Sequence, residues 1–344
     1  TMALIDPDLA KEQVLLLLSS TTQHPHGQVP AYEWSFGDTN PPVHAWAAWQ
    51  VYQLDKRRTG IGDHLFLAQS YSAVTLDVMW WLNQKDDENR GVFGGGFLGM
   101  DNIGVFDRDQ PLPTGGTLDQ ADGTAWMATL VLQMLEITVE LSHSDPGYLR
   151  MFGRWVWDGW LIANALEKGA GNVSFWNDEI GFYNDVIEFP EGTATPLEVF
   201  SMQAVVPLFA CISIPATAVE ALASINTEIT RLRAAYKVPD GATKLRLSGG
   251  DGSHVMVAIV EQERLATMLK RLLDPDQFLS PHGLRSLSKY YEDHPDVYHV
   301  EGQDYRVSYM PAESRNRMFG GNSNWRGPIW MPMNFLFVQA LNAY

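Results

Sequence analysis

Helical segments separated by unusually long loops dominate this chain of 344 residues and leave it few possible folds. Apolar residues recur at helical spacing, as in Ala45, Trp46, Trp49 and Tyr52. Strand-like alternation is rare, so the pattern predicts an all-α protein. About nine helices are predicted, at 7–20, from 41–42 onward, and at 60–83, 117–141, 146–168, 197–214, 216–236, 256–273 and 328–344.

A few residues mark where elements begin and end. Asp6 and Pro7 suit the N-cap and the first position of a helix, and Gly169 suits a helix stop. A short hairpin is predicted within 177–189, whereas 281–321 is predicted to be mostly loop.

The loops range from very short to about 40 residues, against a usual median of about five. Solenoid repeats have a fixed period, which this sequence lacks. A closed α/α toroid is therefore favoured over an α-solenoid. Because no change of composition marks a linker, residues 1–344 are predicted to form a single domain.

Charge and hydropathy exclude two classes of partner. Lys and Arg number 24 against 41 Asp and Glu, a formal net charge of −17. Binding to nucleic acid needs clustered cations on the protein. Binding to an anionic membrane surface needs them as well. No run of about 18 apolar residues is present to span a membrane. We expect neither nucleic acid nor membrane as a partner, and the oligomeric state stays open.

The single cysteine, Cys211, excludes an internal disulfide and a multi-cysteine metal site. No metal or other cofactor is expected. Residues 1–8 lack the basic and apolar stretches of a secretory signal, so the cytoplasm is preferred while the compartment stays open.

Four loop segments combine carboxylates, amides, indoles and glycines: 25–42, 94–108, 118–126 and 320–330. Glycoside hydrolysis requires this mixture, since two carboxyl groups carry out the chemistry while amide, guanidinium and aromatic groups hold the sugar. The sequence thus indicates a carbohydrate site on the loops of one rim.

Structural interpretations compete with this one. Asp101 and Asp122 suit helix N-caps, Glu33 suits a solvated loop, and Asp107-Arg108 suits a surface ion pair. It is the combination of the segments, and not any single residue, that favours the site.

The four segments closely resemble glycoside hydrolase family 63, the relatives of processing α-glucosidase I, and most of all its bacterial and cyanobacterial branch. The matching strings are 28–34, 40–47, 96–108, 120–127 and 319–330, and the resemblance extends along nearly the whole chain. It implies an (α/α)6 toroid, of which about nine of twelve helices are recognised. It also implies inverting hydrolysis of a terminal α-glucosidic bond in an oligosaccharide or a small glucoside.

The resemblance assigns roles to individual residues. Asp101, in Gly99-Met100-Asp101-Asn102, matches the family's general acid. The residues implied to bind the sugar are Trp34, Asp38, Asn40, Gln120, Trp126, Trp325 and Arg326.

The catalytic base is not found in the chain. The family's base is a Glu downstream of the segment Trp325-Arg326-Gly327-Pro328, yet the 16 residues after Pro328 include neither Glu nor Asp. We therefore expect the chain to be an internal piece of a larger hydrolase. The acids within the chain that are candidates for the base are Glu33, Asp107, Asp122, Glu179 and Glu313, and Glu33 and Asp122 are preferred because they lie in the loop segments of the rim.

The missing base keeps other functions open. A non-catalytic carbohydrate-binding toroid, or an inactive fragment, would retain the aromatic rim without turnover. A helical scaffold without a ligand is disfavoured, because a scaffold has no need of four acid- and glycine-rich loops.

Overall fold

The computed structural model describes residues 2–37, 39–84, 90–94, 100, 103–108, 110–218, 246–249, 253–312 and 325–344. The α-helices bounded within these ranges are α1 (Pro7–Leu17), α2 (His44–Thr59), α3 (His64–Gln84), α4 (Ala121–Ser142), α5 (Leu149–Lys168), α6 (Gln262–Leu272) and α7 (Met331–Ala343). Short 3-10 helices cover Met2–Leu4, Pro146–Tyr148, Met202–Phe209 and Lys289–Glu292.

Helices predominate, as predicted, and short strands occur beside them, so the all-α class is confirmed only in part. The strands are β1 (Thr117–Asp119), β2 (Trp176–Asn177), β3 (Phe182–Tyr183), β4 (Asp185–Glu188), β5 (Ala194–Leu197), β6 (Cys211–Pro215), β7 (Arg246–Gly249), β8 (His254–Ala258), β9 (Leu279–Ser280), β10 (Gly283–Leu284), β11 (Asp296–Val300) and β12 (Gln303–Val307). Within the described ranges they form the three-stranded sheets β1-β4-β5 and β6-β8-β7 and the pairs β2-β3, β9-β10 and β11-β12.

The chain divides into two compact units. The first unit contains Thr1–Gly91, Met127–Ala163 and Cys211–Val257, and the second contains Val92–Trp126, Asn164–Ala210 and Ala258–Tyr344.

In the first unit, α1, α2 and α3 pack against one another. The predicted start of α1 is confirmed, because the Asp6 carboxylate accepts the Leu9 N–H at 3.0 Å and Pro7 is the first helical residue. The predicted apolar face of α2 is also seen, with Trp49 and Tyr52 buried. Satisfied helix ends and a buried stripe are the two features that stabilise such helices.

In the second unit, the loop after residue 102 belongs to the hydrophobic core. Val105 and Phe106 are buried against side chains of the β1-β4-β5 sheet and of the segment 287–307. The other buried members of this cluster are Leu112, Ile187, Leu197, Val199, Leu287, Tyr291 and Val307. The apolar contacts hold this loop much as they would hold a strand.

Several predicted helices are confirmed with shifted ends. The segments 60–83, 117–141, 146–168 and 328–344 hold α3, α4, α5 and α7, although 117–119 is the strand β1. The stop at Gly169 is also confirmed. Its φ is +67°, and a Cβ added there would lie 1.6 Å from the Val173 carbonyl oxygen, so only glycine fits.

The helix predicted at 197–214 is wrong, and the helix predicted at 256–273 is confirmed only in its second part. Residues 197–214 contain the end of β5, the 3-10 helix Met202–Phe209 and β6. Every residue of that 3-10 helix is buried and Pro207 lies inside it, so the apolar run has no helical period to read. Residues 256–273 begin in β8 and become helical only at Gln262, since the Val-rich start favours a strand.

Three further predicted segments are a hairpin, a long loop and a helix. The hairpin predicted within 177–189 is confirmed in part, since β2-β3 covers 176–183, whereas Asp185–Glu188 is the strand β4, which pairs with β1 and β5. The predicted loop 281–321 contains the hairpin β11-β12. Of the predicted helix 216–236, only 216–218 are described, and they are helical.

α4 is long and apolar enough, by length and composition alone, to cross a membrane. Of its most apolar window of 18 residues, 89% is buried inside the protein. This burial is typical of a core helix.

Candidate active site

Four segments of the second unit meet at the guanidinium of Arg108. It donates from Nη1 to Asp122 Oδ2 at 2.8 Å and from Nη2 to Asp122 Oδ1 at 2.9 Å, a bidentate ion pair. Nη2 also lies 2.5 Å from Asp185 Oδ2 and 2.9 Å from Gln203 Oε1; because it has two hydrogens for three acceptors, one hydrogen is shared between two of them. All four side chains are buried, so Arg108 is not part of a surface pair. We call these four residues the Arg108 clamp.

Local structure explains why the two carboxylates converge. Asp122 is the second residue of α4, and Asp185 is the first residue of β4, which pairs with the strand β1 that leads into α4. The Ala121 N–H donates to Asp185 Oδ1 at 3.0 Å, and the Gly123 N–H donates to Asp122 Oδ1 at 2.9 Å. The first turn of a helix has free N–H groups and a positive partial charge, so it stabilises both carboxylates.

The clamp holds two carboxylates but only one guanidinium. Burial raises the pKa of Asp185 to about 6; the Arg108 guanidinium opposes this rise, and the Asp122 carboxylate adds to it. Burial disfavours the charged form of Arg108, but Asp122 and Asp185 outweigh it and raise the pKa of the guanidinium. Arg108 therefore stays charged, and the pKa of Asp185 lies well above its ordinary value.

We expect Asp185→Asn to gain stability relative to wild type as the pH rises from about 4 to about 8. Folding raises the pKa of the Asp185 carboxyl to about 6. The carboxyl therefore contributes stability that is fully present below the pKa it has in the unfolded chain. This contribution is lost as the pH rises through the pKa of about 6 in the folded protein. A shift of about two units corresponds to about 3 kcal/mol. Urea unfolding at both pH values measures the difference.

This test depends on the direction in which the stability difference between Asp185→Asn and wild type changes with pH. The amide that replaces the Asp185 carboxylate has one oxygen in place of the two that accept from Arg108 and Ala121, so the variant is expected to be less stable than wild type throughout, by a margin that shrinks as the pH rises. Asp296→Asn is the matched control, since Asp296 is the first residue of β11 but is exposed. Its stability should track wild type across the range. Parallel pH curves for Asp185→Asn and wild type would contradict the prediction.

Arg326 anchors the same loop at a second point. Its side chain is fully buried, and Nη2 donates to the Gly104 carbonyl oxygen at 2.9 Å. Burial lowers the pKa of this guanidinium, yet an arginine remains charged in proteins. Residues 103–108 are thus held near one end by Arg326 and at the other by the Arg108 clamp.

The backbone around Arg326 is fixed as well. The Met310 N–H donates to the Arg326 carbonyl oxygen at 2.6 Å, and the Gly327 N–H donates to Ser286 Oγ at 3.0 Å. Gly327 has a φ of +132°, and an added Cβ would lie 2.4 Å from the Tyr309 ring. The Trp-Arg-Gly-Pro segment therefore requires its glycine here.

Two predicted sugar-binding residues near the start of α4 have open hydrogen-bonding groups. The Trp126 ring is buried and lies edge-on to Phe209, with 5.7 Å between centroids. Within the part of the chain that the structure describes, Trp126 Nε1 and Gln120 Oε1 are buried and have no hydrogen-bond partner. Since buried polar groups are nearly always paired, each of these two atoms is available to a water molecule or to a polar group of a ligand.

The remaining predicted residues differ in their surroundings. Trp325 is buried and stacks on Trp330, with centroids 4.1 Å apart. In the first unit, Trp34 is 75% exposed and its indole N–H donates to the Thr21 carbonyl oxygen at 2.9 Å. Asn40 is exposed, and its Nδ2 donates to the Ala31 carbonyl oxygen at 3.1 Å.

The structure groups some of the predicted residues and leaves others apart. Gln120, Asp122, Trp126, Trp325 and Arg326 belong to the second unit, whereas Glu33, Trp34 and Asn40 belong to the first. Asp38 and Asp101 lie outside the described residues.

Asp122 is poorly suited to be the base that the sequence allowed. It is fully buried, and Arg108 binds both of its carboxylate oxygens. A general base must reach the proton of the attacking water. The exposed carboxylate of Glu33 is free of this objection.

Sequence reasoning missed Asp185 and Gln203. The signal for Asp185 is the polar pair Asn184-Asp185 between Phe182-Tyr183 and Val186-Ile187. Polar residues inside a buried apolar strand usually have a buried partner. Among the described residues no three His, Cys, Asp or Glu side chains are grouped so as to hold a metal ion.

Both ends of the chain match families of glycoside hydrolases. Residues 1–108 match the mannosylglycerate hydrolase MGH1-like glycoside hydrolase domain, and residues 254–344 match the glycosyl hydrolase family 63 C-terminal domain.

Two curated proteins are similar in sequence. An uncharacterized protein of Saccharomyces cerevisiae is 40% identical over 356 residues, which cover 100% of this chain and 33% of that protein. A probable mannosyl-oligosaccharide glucosidase of Schizosaccharomyces pombe is 35% identical over 78 residues, which cover 23% of this chain and 7% of that protein. The chain spans about a third of the length of the first relative.

Solved structures share the fold. The mannosylglycerate hydrolase of family GH63 from Thermus thermophilus, in complex with glucose, has a TM-score of 0.57 at 15% identity over 99% of this chain and 76% of that one. An uncharacterized conserved protein from the same organism has a TM-score of 0.59 at 16% identity, with the same coverage.

Proposed function

Because this chain belongs to glycoside hydrolase family 63, we propose that it hydrolyses a terminal α-glucosidic bond, in an oligosaccharide or a small glucoside, with inversion. The observation that carries the proposal is the double anchorage of residues 103–108, which directly follow Asp101-Asn102 in the sequence. We also propose that the chain is a single domain and an incomplete part, about nine of twelve helices, of the (α/α)6 toroid that the family resemblance implies.

Asp101 is the proposed general acid. In an inverting reaction the acid gives a proton to the departing glycosidic oxygen as the C–O bond breaks, while a base takes a proton from the water that bonds to the anomeric carbon. The acid works only when it is held within hydrogen-bond reach of that oxygen. Gly104, three residues after Asp101, is fixed by the Arg326 guanidinium, which supports this role.

Gln120 and Trp126 are proposed to hold a hydroxyl of the sugar. A hydroxyl both donates and accepts, so it suits the open acceptor Gln120 Oε1 or the open donor Trp126 Nε1. Trp325 and Arg326, which match the family's sugar-binding segment, are proposed to line the same pocket. The proposal of glucose is supported by the yeast relative that is named as a probable mannosyl-oligosaccharide glucosidase.

The segment 25–42 is proposed to complete sugar binding. Trp34 presents an exposed indole ring, which is suited to stacking on a sugar face. Asp38 and Asn40 supply carboxylate and amide groups of the kind that bind hydroxyls. Within the chain, Glu33 is the preferred base, because it offers an exposed carboxylate and Asp122 does not.

The test is the stereochemistry of hydrolysis by the protein as its host makes it. With a maltose-type oligosaccharide and a small α-glucoside as substrates, proton NMR should show β-glucose first and α-glucose only after mutarotation. α-Glucose as the first product would contradict inversion. Glucose binding without release from either substrate would instead support the non-catalytic carbohydrate-binding alternative.

A further inference from the structure

We propose that Arg108 is a positioning residue for catalysis, which locks the segment after the general acid to the sugar-binding first turn of α4. This inference rests on the proposed function. The position of Asp122 in the chain, between Gln120 and Trp126, is what connects the two parts of the site.

The bidentate pair fixes orientation as well as distance. Arg108 Nη1 and Nη2 each meet one oxygen of Asp122, at 2.8 and 2.9 Å, so the guanidinium and carboxylate planes are aligned. A single point charge, such as a lysine ammonium, cannot impose this alignment. Arg108, the last residue of the segment 103–108, is thereby held at a fixed position relative to the first turn of α4.

The additional acceptors keep the guanidinium from rotating away. Asp185 lies on β4 and Gln203 on the 3-10 helix Met202–Phe209, and both accept from Nη2. The Ala121 N–H in turn binds Asp185, so β4 grips α4 and Arg108 together. The four residues of the clamp thus come from four different elements and define a single geometry.

The composition of the clamp also suggests a role beyond stability. Two buried carboxylates share one guanidinium, which leaves an excess negative charge away from water. Buried ion pairs often stabilise a fold less than apolar side chains of equal volume would. Departures of this kind from the most stable arrangement are concentrated at functional sites.

The experiment compares two leaving groups in Arg108→Lys. α-Glucosyl fluoride releases fluoride without a proton from the enzyme, whereas a sugar leaving group needs the general acid. We expect kcat on the oligosaccharide to fall about 100-fold, with kcat on the fluoride changed less than about threefold and KM for both changed little. Equal losses on both substrates would overturn the positioning role.

Arg264→Lys is the matched control in the same unit. Arg264 makes a bidentate pair with Glu167, but it connects α6 to α5 and does not touch the segment 103–108. A purely structural loss should affect both substrates alike, so Arg264→Lys should show no split between oligosaccharide and fluoride. A split of equal size in Arg264→Lys would also overturn the proposal.

Two further measurements cover failure to fold and failure of the proposed function. Gln203→Met removes only the neutral acceptor and should give a smaller split in the same direction; the absence of any split would count against the proposal. Hydrogen exchange of peptides covering 103–108 needs no turnover, and Arg108→Lys should raise it while Arg264→Lys does not. Wild type that cleaves neither substrate refutes the proposed function alone, whereas unchanged exchange in Arg108→Lys refutes the inference.

Discussion

Asp101→Asn should lower kcat on an α-linked oligosaccharide by about 10²–10⁴, the usual contribution of general acid catalysis. The amide has nearly the size of the carboxylic acid but cannot give a proton to the departing oxygen. KM should change little, because the change removes an interaction made in the transition state. Steady-state rates of glucose release from the oligosaccharide measure the effect.

The control and the second substrate make this result specific. Glu12→Gln also removes one carboxylate charge, but from the exposed face of α1, and should keep the wild-type rate. Asp101→Asn should retain most of its rate on α-glucosyl fluoride, whose leaving group needs no proton. An unchanged rate on the oligosaccharide would remove Asp101 from the mechanism.

Local signals in the sequence predicted the helices well and the strands poorly. Asp6-Pro7 starts a helix and Gly169 ends one through contacts with residues a few positions away. Such local effects can be predicted from the sequence. The predicted loop 281–321 leaves out the turn signal between β11 and β12. Glu301-Gly302 joins two strands with φ of +49° and +82°, which is typical of a two-residue hairpin turn.

The buried 3-10 helix Met202–Phe209 could not be predicted in the same way. All of its residues are buried, so no polar face marks a period of 2 or 3.6 residues. Its form depends on packing, as the contacts of this segment with α7 and β3 show. Tertiary contacts of this kind override local preference.

The candidate site shows the same division between local and long-range information. Family resemblance indicated the segments around Gln120, Trp126 and Arg326, and all three residues belong to the second unit. The Arg108 clamp was not predicted, because Asp185 and Gln203 lie 77 and 95 residues from Arg108 in the chain. Nothing in the local sequence of Asp107-Arg108 distinguishes a buried guanidinium from an exposed one.

Asp122→Ala should destabilise the protein by about 3–5 kcal/mol, the cost of removing one partner from a buried ion pair. The remaining Asp185 and Gln203 both accept from Nη2, so Nη1 of Arg108 would lose the partner it has in the clamp. The Gly123 N–H would lose its acceptor as well. Urea unfolding followed by tryptophan fluorescence measures the change.

Asp8→Ala separates this effect from the general value of an acid in the first turn of a helix. Asp8 is the second residue of α1, as Asp122 is of α4, but its side chain is 75% exposed and its nearest cation, Lys11, is 3.7 Å away. Loss of a surface pair and of an interaction with the helix dipole should cost no more than about 1 kcal/mol. Similar losses in the two variants would mean that Asp122 acts through the helix dipole and that Arg108 is held by Asp185 and Gln203 alone. A loss several times larger in Asp122→Ala would assign the difference to the clamp, since position in the helix is the same in both.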